Sequence, residues 1–152
     1  MTGVEVATAE DMRAFGARLA ELLRPGDLVV LTGGLGAGKT TLVQGIGAGL
    51  GVVSPVVSPT FVIARVHRDG RIPLVHVDAY RLGSVDEVDD LDLDASLEES
   101  VTVVEWGAGL VDELSGDRLE VRLDRSSDPA DETRRVSVTG VGARWDTADL
   151  PA

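Results

Sequence analysis

The chain of 152 residues has no cysteine and only two histidines, His67 and His76. Without thiols there is neither a disulfide framework nor a thiolate metal site, and two imidazoles are too few for a histidine-based metal cluster. The lack of cysteine is compatible with a reducing compartment. Positive charge is scarce as well: 14 Lys and Arg stand against 26 Asp and Glu, a formal net charge of −12. Proteins that grip nucleic acid by themselves do so with clustered Lys and Arg, so strong direct nucleic-acid binding is not expected. No apolar run approaches the ~20 residues of a membrane span, and Met1 to Glu10 carry neither a basic segment nor an apolar one of the signal-peptide kind. A soluble, cytoplasmic protein without membrane contact is the expectation. Internal repeats, lid-like insertions and an Asn-Lys-x-Asp guanine-reading motif are all missing.

What is present is one stretch of high information, Gly33-Gly-Leu-Gly-Ala-Gly-Lys-Thr40, which satisfies the phosphate-loop pattern G-x-x-x-x-G-K-[ST]. It follows the apolar run Asp27 to Thr32, which reads as a buried strand of a parallel sheet, and precedes a helical stretch from Thr41 to Leu50. Each residue type has a physical task in that context. Glycines let backbone N–H groups turn onto phosphate oxygens, Lys39 brings charge to the β and γ phosphates, and Thr40 offers a hydroxyl to Mg²⁺. The helix start adds the positive end of its dipole. A glycine cluster after a strand is often just a tight turn, but the complete pattern between strand and helix favours a bound nucleoside triphosphate. The global acidity does not oppose this, because local N–H groups and Lys39 hold the ligand.

The rest of the chain reads as a single α/β domain. Thr8-Ala-Glu-Asp11 resembles a capping box, and Met12, Phe15, Leu19, Leu22 and Leu23 follow at helical spacing until Arg24-Pro25-Gly26. Phe61 to His67 and Ile72 to Asp78, joined at Asp69-Gly70, predict a hairpin, which makes the sheet mixed. Ser84-Val-Asp-Glu87 predicts a further helix running to Glu99. The run Asp86 to Asp94 lacks calcium-loop spacing and reads as a solvated acidic face. Val101 to Glu105 is a second apolar strand, and Asp117 to Asp124 and Thr133 to Thr139 alternate as two more, around a polar turn from Arg125 to Glu132. The fold class expected is a P-loop NTPase-like α/β domain over residues 1–142, a mixed, mostly parallel central sheet flanked by helices, with 143–152 a loose tail.

Phosphoryl chemistry on such a scaffold requires carboxylates at strand ends. Glu105 closes one apolar strand and Asp78 closes another, so either can support Mg²⁺ or orient an attacking water; the bland alternative is a solvated strand-end charge. Thr60, in Ser58-Pro-Thr60, lies where γ-phosphate-sensing switch segments are found, although a Pro-fixed turn explains the same residues. Tyr80, Arg81 and Trp106 stand beside the two acids in sequence, while His67 and His76 are most simply strand residues.

Taken in order, Gly-Leu-Gly-Ala-Gly-Lys-Thr-Thr at 34–41, Ser-Pro-Thr-Phe at 58–61, His-Val-Asp-Ala-Tyr-Arg-Leu at 76–82 and Glu-Trp at 105–106 resemble the TsaE (YjeE) family. That family is the ATPase subunit of the bacterial machinery that makes N6-threonylcarbamoyladenosine on tRNA. The resemblance implies an enzyme that binds and hydrolyses ATP with Mg²⁺, weakly alone and faster with partners. It acts on the cycle of two other subunits, TsaD-like and TsaB-like, rather than on tRNA itself. Carried over, Gly33, Gly34, Leu35, Gly36, Ala37, Gly38, Lys39, Thr40 and Thr41 would cradle the phosphates, and Lys39, Asp78 and Glu105 would be catalytic. Thr40, Glu105 and Asp78 would hold the metal, Thr60 would sense the γ-phosphate, and Thr8 would meet the base or ribose. The chain departs from the family's pattern at Gly34, commonly acidic, and at Gly107-Ala108-Gly109, where proline with an acidic or amide residue is common. A small-molecule P-loop kinase and a nucleotide-gated binding module without turnover are the competing readings.

Overall fold

Leu28 to Leu31 and Val101 to Glu105 are buried along their whole length, as strands covered on both faces must be. The computed structural model describes residues 2–33, 38–53, 56, 64–78, 99–105, 117–125, 128, 130–131 and 133–145. Along these run β1 (Thr2–Val6), α1 (Ala9–Ala20), β2 (Leu28–Thr32), α2 (Lys39–Gly49), β3 (Ala64–His67), β4 (Leu74–Asp78), β5 (Val101–Glu105), β6 (Arg118–Arg125) and β7 (Arg134–Val141). One sheet takes all seven strands in the order β1-β7-β6-β2-β5-β4-β3. Its centre, β6-β2-β5-β4, is parallel, and antiparallel partners close both ends. The expected mixed α/β sheet is therefore observed.

The elements form for local reasons. Thr8 caps α1 with extended backbone, its hydroxyl accepting from the Asp11 N–H at 3.1 Å, and Glu10 and Asp11 lie at the positive end of the helix dipole. Met12, Phe15, Leu19 and Ala20 form the buried stripe. The spacing of Leu22 and Leu23 suggests a longer helix, yet α1 stops at Ala20. The Leu22 and Leu23 N–H groups bond three residues back, to Leu19 and Ala20, and tighten the chain out of α geometry before Pro25. α2 starts where the phosphate-loop pattern places a helix start, at Lys39.

One face of the sheet packs on both helices. Val29, Leu31, Val103, Leu119, Val121 and Val138 meet Phe15, Leu19, Leu42 and Ile46 in a continuous core. Each such buried side chain contributes about 1.5–3 kcal/mol of transfer free energy. The helices approach closely because glycines face one another at the crossing: a Cβ on Gly16 would lie 2.5 Å from the Leu42 carbonyl oxygen.

Two observations differ from expectation. Thr2–Val6 is a strand, paired with β7 so that Val4 lies opposite Val136. Ala143–Trp145, assigned to a loose tail, forms a turn of 3₁₀ helix with Trp145 buried. Arg144 anchors it, donating from Nε and Nη2 to Asp27 at 3.1 Å each and from Nη2 to the Leu22 carbonyl at 2.7 Å. Its guanidinium also lies 4.1 Å from the centre of the Trp145 ring. The anticipated helix at 84–98, residues 61–63 of the anticipated strand, and 146–152 lie outside the described residues.

Candidate functional site

β2 ends at Thr32, and its continuation Gly33 meets the start of α2 across the phosphate loop. Lys39 Nζ donates to the Gly33 carbonyl oxygen at 2.7 Å, and Lys39 is 6% exposed. At the helix start Gly38 occupies the cap position at φ 101°, a left-handed conformation that suits glycine, and among the described residues no side chain caps the helix. No acidic residue lies in its first turn. Uncapped N–H groups, the positive dipole end and the Lys39 ammonium therefore share one end of α2. Thr40 and Thr41 follow in the first turn, both partly buried. Gly34, Leu35, Gly36 and Ala37 lie outside the described residues.

The two strand-end acids arrive at the same edge of the sheet. β5 lies between β2 and β4 in parallel register, with Glu105 opposite Leu31 on one side and Asp78 on the other. Glu105 is 4% exposed, and its Oε2 lies 2.5 Å from Nε2 of His76, which is wholly buried on β4. A carboxylate so far from solvent needs a hydrogen-bonding partner, and the imidazole supplies one. The sequence places His76 two residues from Asp78 in an apolar strand but does not reveal its contact with Glu105 on the neighbouring strand.

Thr8, the remaining candidate, is exposed and its hydroxyl caps α1. The Met12 N–H donates to the Thr8 carbonyl at 3.0 Å, and Met12 Cε lies 3.2 Å from where a Gly38 side chain would begin. The first turn of α1 is thus tied to the end of the phosphate loop. Beyond α2, Gln44 Nε2 donates to the Val56 carbonyl at 3.1 Å and holds the chain two residues before Ser58. Thr60, Tyr80, Arg81 and Trp106 lie outside the described residues.

The arrangement pairs an anion-binding helix terminus with carboxylates at adjacent strand ends. Among the described residues no three His, Cys, Asp or Glu cluster as a metal cage. Carboxylate and hydroxyl oxygens are the donors a hard divalent cation takes when substrate phosphates complete its shell, so Glu105, Asp78 and Thr40 suit Mg²⁺ in kind. Among the described residues no helix is long and apolar enough to cross a membrane.

A family model described as threonylcarbamoyl adenosine biosynthesis protein TsaE matches residues 6–136. The chain is 65% identical over 144 residues to the tRNA threonylcarbamoyladenosine biosynthesis protein TsaE of Streptomyces coelicolor, covering 91% of this chain and 97% of that protein. With the protein of the same name from Bacillus subtilis it shares 38% identity over 138 residues, 90% of this chain and 84% of that one. The fold superimposes on the crystal structure of Bacillus subtilis YdiB with a TM-score of 0.77 and 32% identity, over 95% of this chain and 88% of that one. A match over residues 6–136, together with relatives this similar along most of their length, shows that the chain belongs to the TsaE family.

Proposed function

We propose that this chain binds ATP with Mg²⁺ and hydrolyses it in support of N6-threonylcarbamoyladenosine formation on tRNA. It acts on the catalytic cycle of two partner subunits, TsaD-like and TsaB-like, in the cytoplasm. One observation carries the reading: the Lys39 end of α2 and the Glu105 and Asp78 ends of β5 and β4 lie at one edge of a parallel sheet. Ligands of open α/β sheets bind outside the carboxyl ends of the strands. The biosynthetic role is supported by the names of relatives up to 65% identical.

In this reading residues 33–41 wrap the phosphates with backbone N–H groups, and Lys39 exchanges its bond to the Gly33 carbonyl for phosphate oxygens. Thr40, Glu105 and Asp78 would hold Mg²⁺, which would neutralise phosphate charge, and one of the two acids would orient the attacking water. That water forms a new bond to the γ-phosphorus as the bond to the bridging oxygen breaks, its proton passes to solvent, and ADP and phosphate leave. Thr60 senses the γ-phosphate, and Thr8, tied through Met12 to the loop's end, approaches the base or ribose. With a net charge of −12 the surface suits docking to proteins rather than gripping tRNA.

The test is phosphate release from ATP by the chain alone and with the two partner subunits. Slow release alone and faster release in the complex are expected. Lys39→Ala should abolish nucleotide binding, whereas Glu105→Ala should bind and fail to turn over. A phosphorylated small acceptor in place of free phosphate would replace this reading with a kinase, and unchanged release by Glu105→Ala in the complex would remove Glu105 from the mechanism.

A further inference from the structure

His76 stands two residue pairs below the acids in the sheet, opposite Val103, and reaches diagonally to Glu105 on the neighbouring strand. It is wholly buried, and among the described residues its second ring nitrogen, Nδ1, has no hydrogen-bond partner, so its polar contact is the one between Nε2 and Glu105 Oε2.

The consequence falls on Glu105. The terminal torsion of a glutamate is broad, so an unrestrained carboxylate at a strand end samples many orientations. Here an imidazole that cannot rotate within the core holds Oε2. Oε1 takes no part in that contact. A ring packed in the core on β4 thus restricts the orientation of the carboxylate it holds on β5. This is how outer-shell groups orient the ligands of a cation.

We propose that His76 is a positioning residue for Glu105, holding its carboxylate in the orientation that takes Mg²⁺ with the nucleotide. The proposal rests on the ATPase reading above. It separates His76 from a packing role, because packing affects stability alone while positioning affects the metal dependence of nucleotide binding.

The experiment titrates a fluorescent ATP analogue onto the full-length chain in EDTA and over a range of Mg²⁺, for the parent, His76→Leu and His76→Gln. Thermal unfolding is measured on each. The Gln amide reaches about as far as Nε2 and retains the hydrogen bond. His76→Leu should bind the analogue as the parent does in EDTA but require about 10-fold or more Mg²⁺ for half-saturation, the size of effect seen when outer-shell partners of metal ligands are removed. His76→Gln should return to within about 3-fold of the parent. Combined with Glu105→Ala, His76→Leu should change the Mg²⁺ requirement no further. If His76→Leu does not fold, His76→Asn, whose amide falls short of Glu105, takes its place. Parental Mg²⁺ dependence in a folded Leu or Asn variant overturns the proposal, as does a folded Gln variant as impaired as Leu. A parent chain that binds no nucleotide under any condition overturns the ATPase reading and this role with it.

Discussion

Replacing Gly45 by Ala adds one methyl group with two opposed effects. In a helix interior the change favours the folded state by about 1 kcal/mol, because glycine loses more backbone freedom on ordering. Gly45, however, sits in the middle of α2 where it crosses α1. A Cβ there would lie 2.7 Å from Arg13 Cα and 2.8 Å from the Arg13 carbonyl carbon. Carbon atoms rest at about 3.5–4.0 Å, so the helices must part by about 0.8 Å or more. The atoms met are backbone and cannot rotate away. Gly16 faces the same crossing, 2.8 Å from the Ile46 nitrogen by the same measure, so the strain has no outlet on that side. Overpacking of this kind costs about 1–3 kcal/mol. Net of the propensity gain, Gly45→Ala should destabilise by up to about 2 kcal/mol and lower the melting temperature by up to about 8 °C. Thermal unfolding followed by circular dichroism, without nucleotide, reads this directly. Because α2 begins at Lys39, affinity for a triphosphate should fall as well. The Gly16→Ala, Gly45→Ala double variant should lose less than the sum, since helices already parted accommodate the second methyl. A Gly45→Ala chain melting at or above the parent would refute the close-crossing argument.

Two further outcomes follow from buried polar groups. Asp27→Ala removes the acceptor of the Arg24 N–H at 2.7 Å and both Arg144 bonds, and should cost about 2–4 kcal/mol in urea unfolding; a loss under about 1 kcal/mol would show that the 3₁₀ turn is not anchored there. His67 is held below the ordinary 6.5 by burial first and then by the His76 imidazole and Arg65, against a weaker opposite pull from Asp69. The unfolded chain therefore takes up this proton first as pH falls, so the stability tied to a neutral His67 is complete above 6.5 and is lost below it. Unfolding free energy should decline as pH falls below about 6.5, and His67→Gln should flatten that slope; identical slopes would refute it.

Much of the site was legible because its signals are local. The phosphate-loop pattern needs only eight contiguous residues, the Thr8 cap needs four, and β5 announces itself as an apolar run ending on Glu105. The features that escaped depend on partners far along the chain. His76 and Glu105 are 29 residues apart, and no periodicity relates them until β4 and β5 lie side by side. Arg144 reaches Asp27 across 117 residues, so a polar, alanine-containing segment read as a tail. Thr2–Val6 has only Val4 and Val6 in alternation, too brief a pattern without the β7 edge that receives it. The early stop of α1 has a similar origin, since Leu22 and Leu23 retain helical spacing while their N–H groups turn to nearer carbonyls.

The acids reach the phosphate loop only because the centre of the sheet is parallel. β2, β5 and β4 all run the same way, so Thr32, Glu105 and Asp78 terminate at one edge. Five residues of strand span about 16 Å, so an antiparallel β4 would have carried its terminal acid that far to the opposite edge, beyond the reach of any side chain. Adjacent strands are about 4.8 Å apart, which places the Glu105 backbone between the ends of β2 and β4, within side-chain reach of either. Burial adds the energetic part. Every residue of β5 is shielded from water, so the field between Glu105 and the Lys39 end of α2 is screened far less than the acidic surface around it. A chain of net charge −12 can thus present a site for a polyanion, since a few oriented charges at a buried edge outweigh many that face solvent.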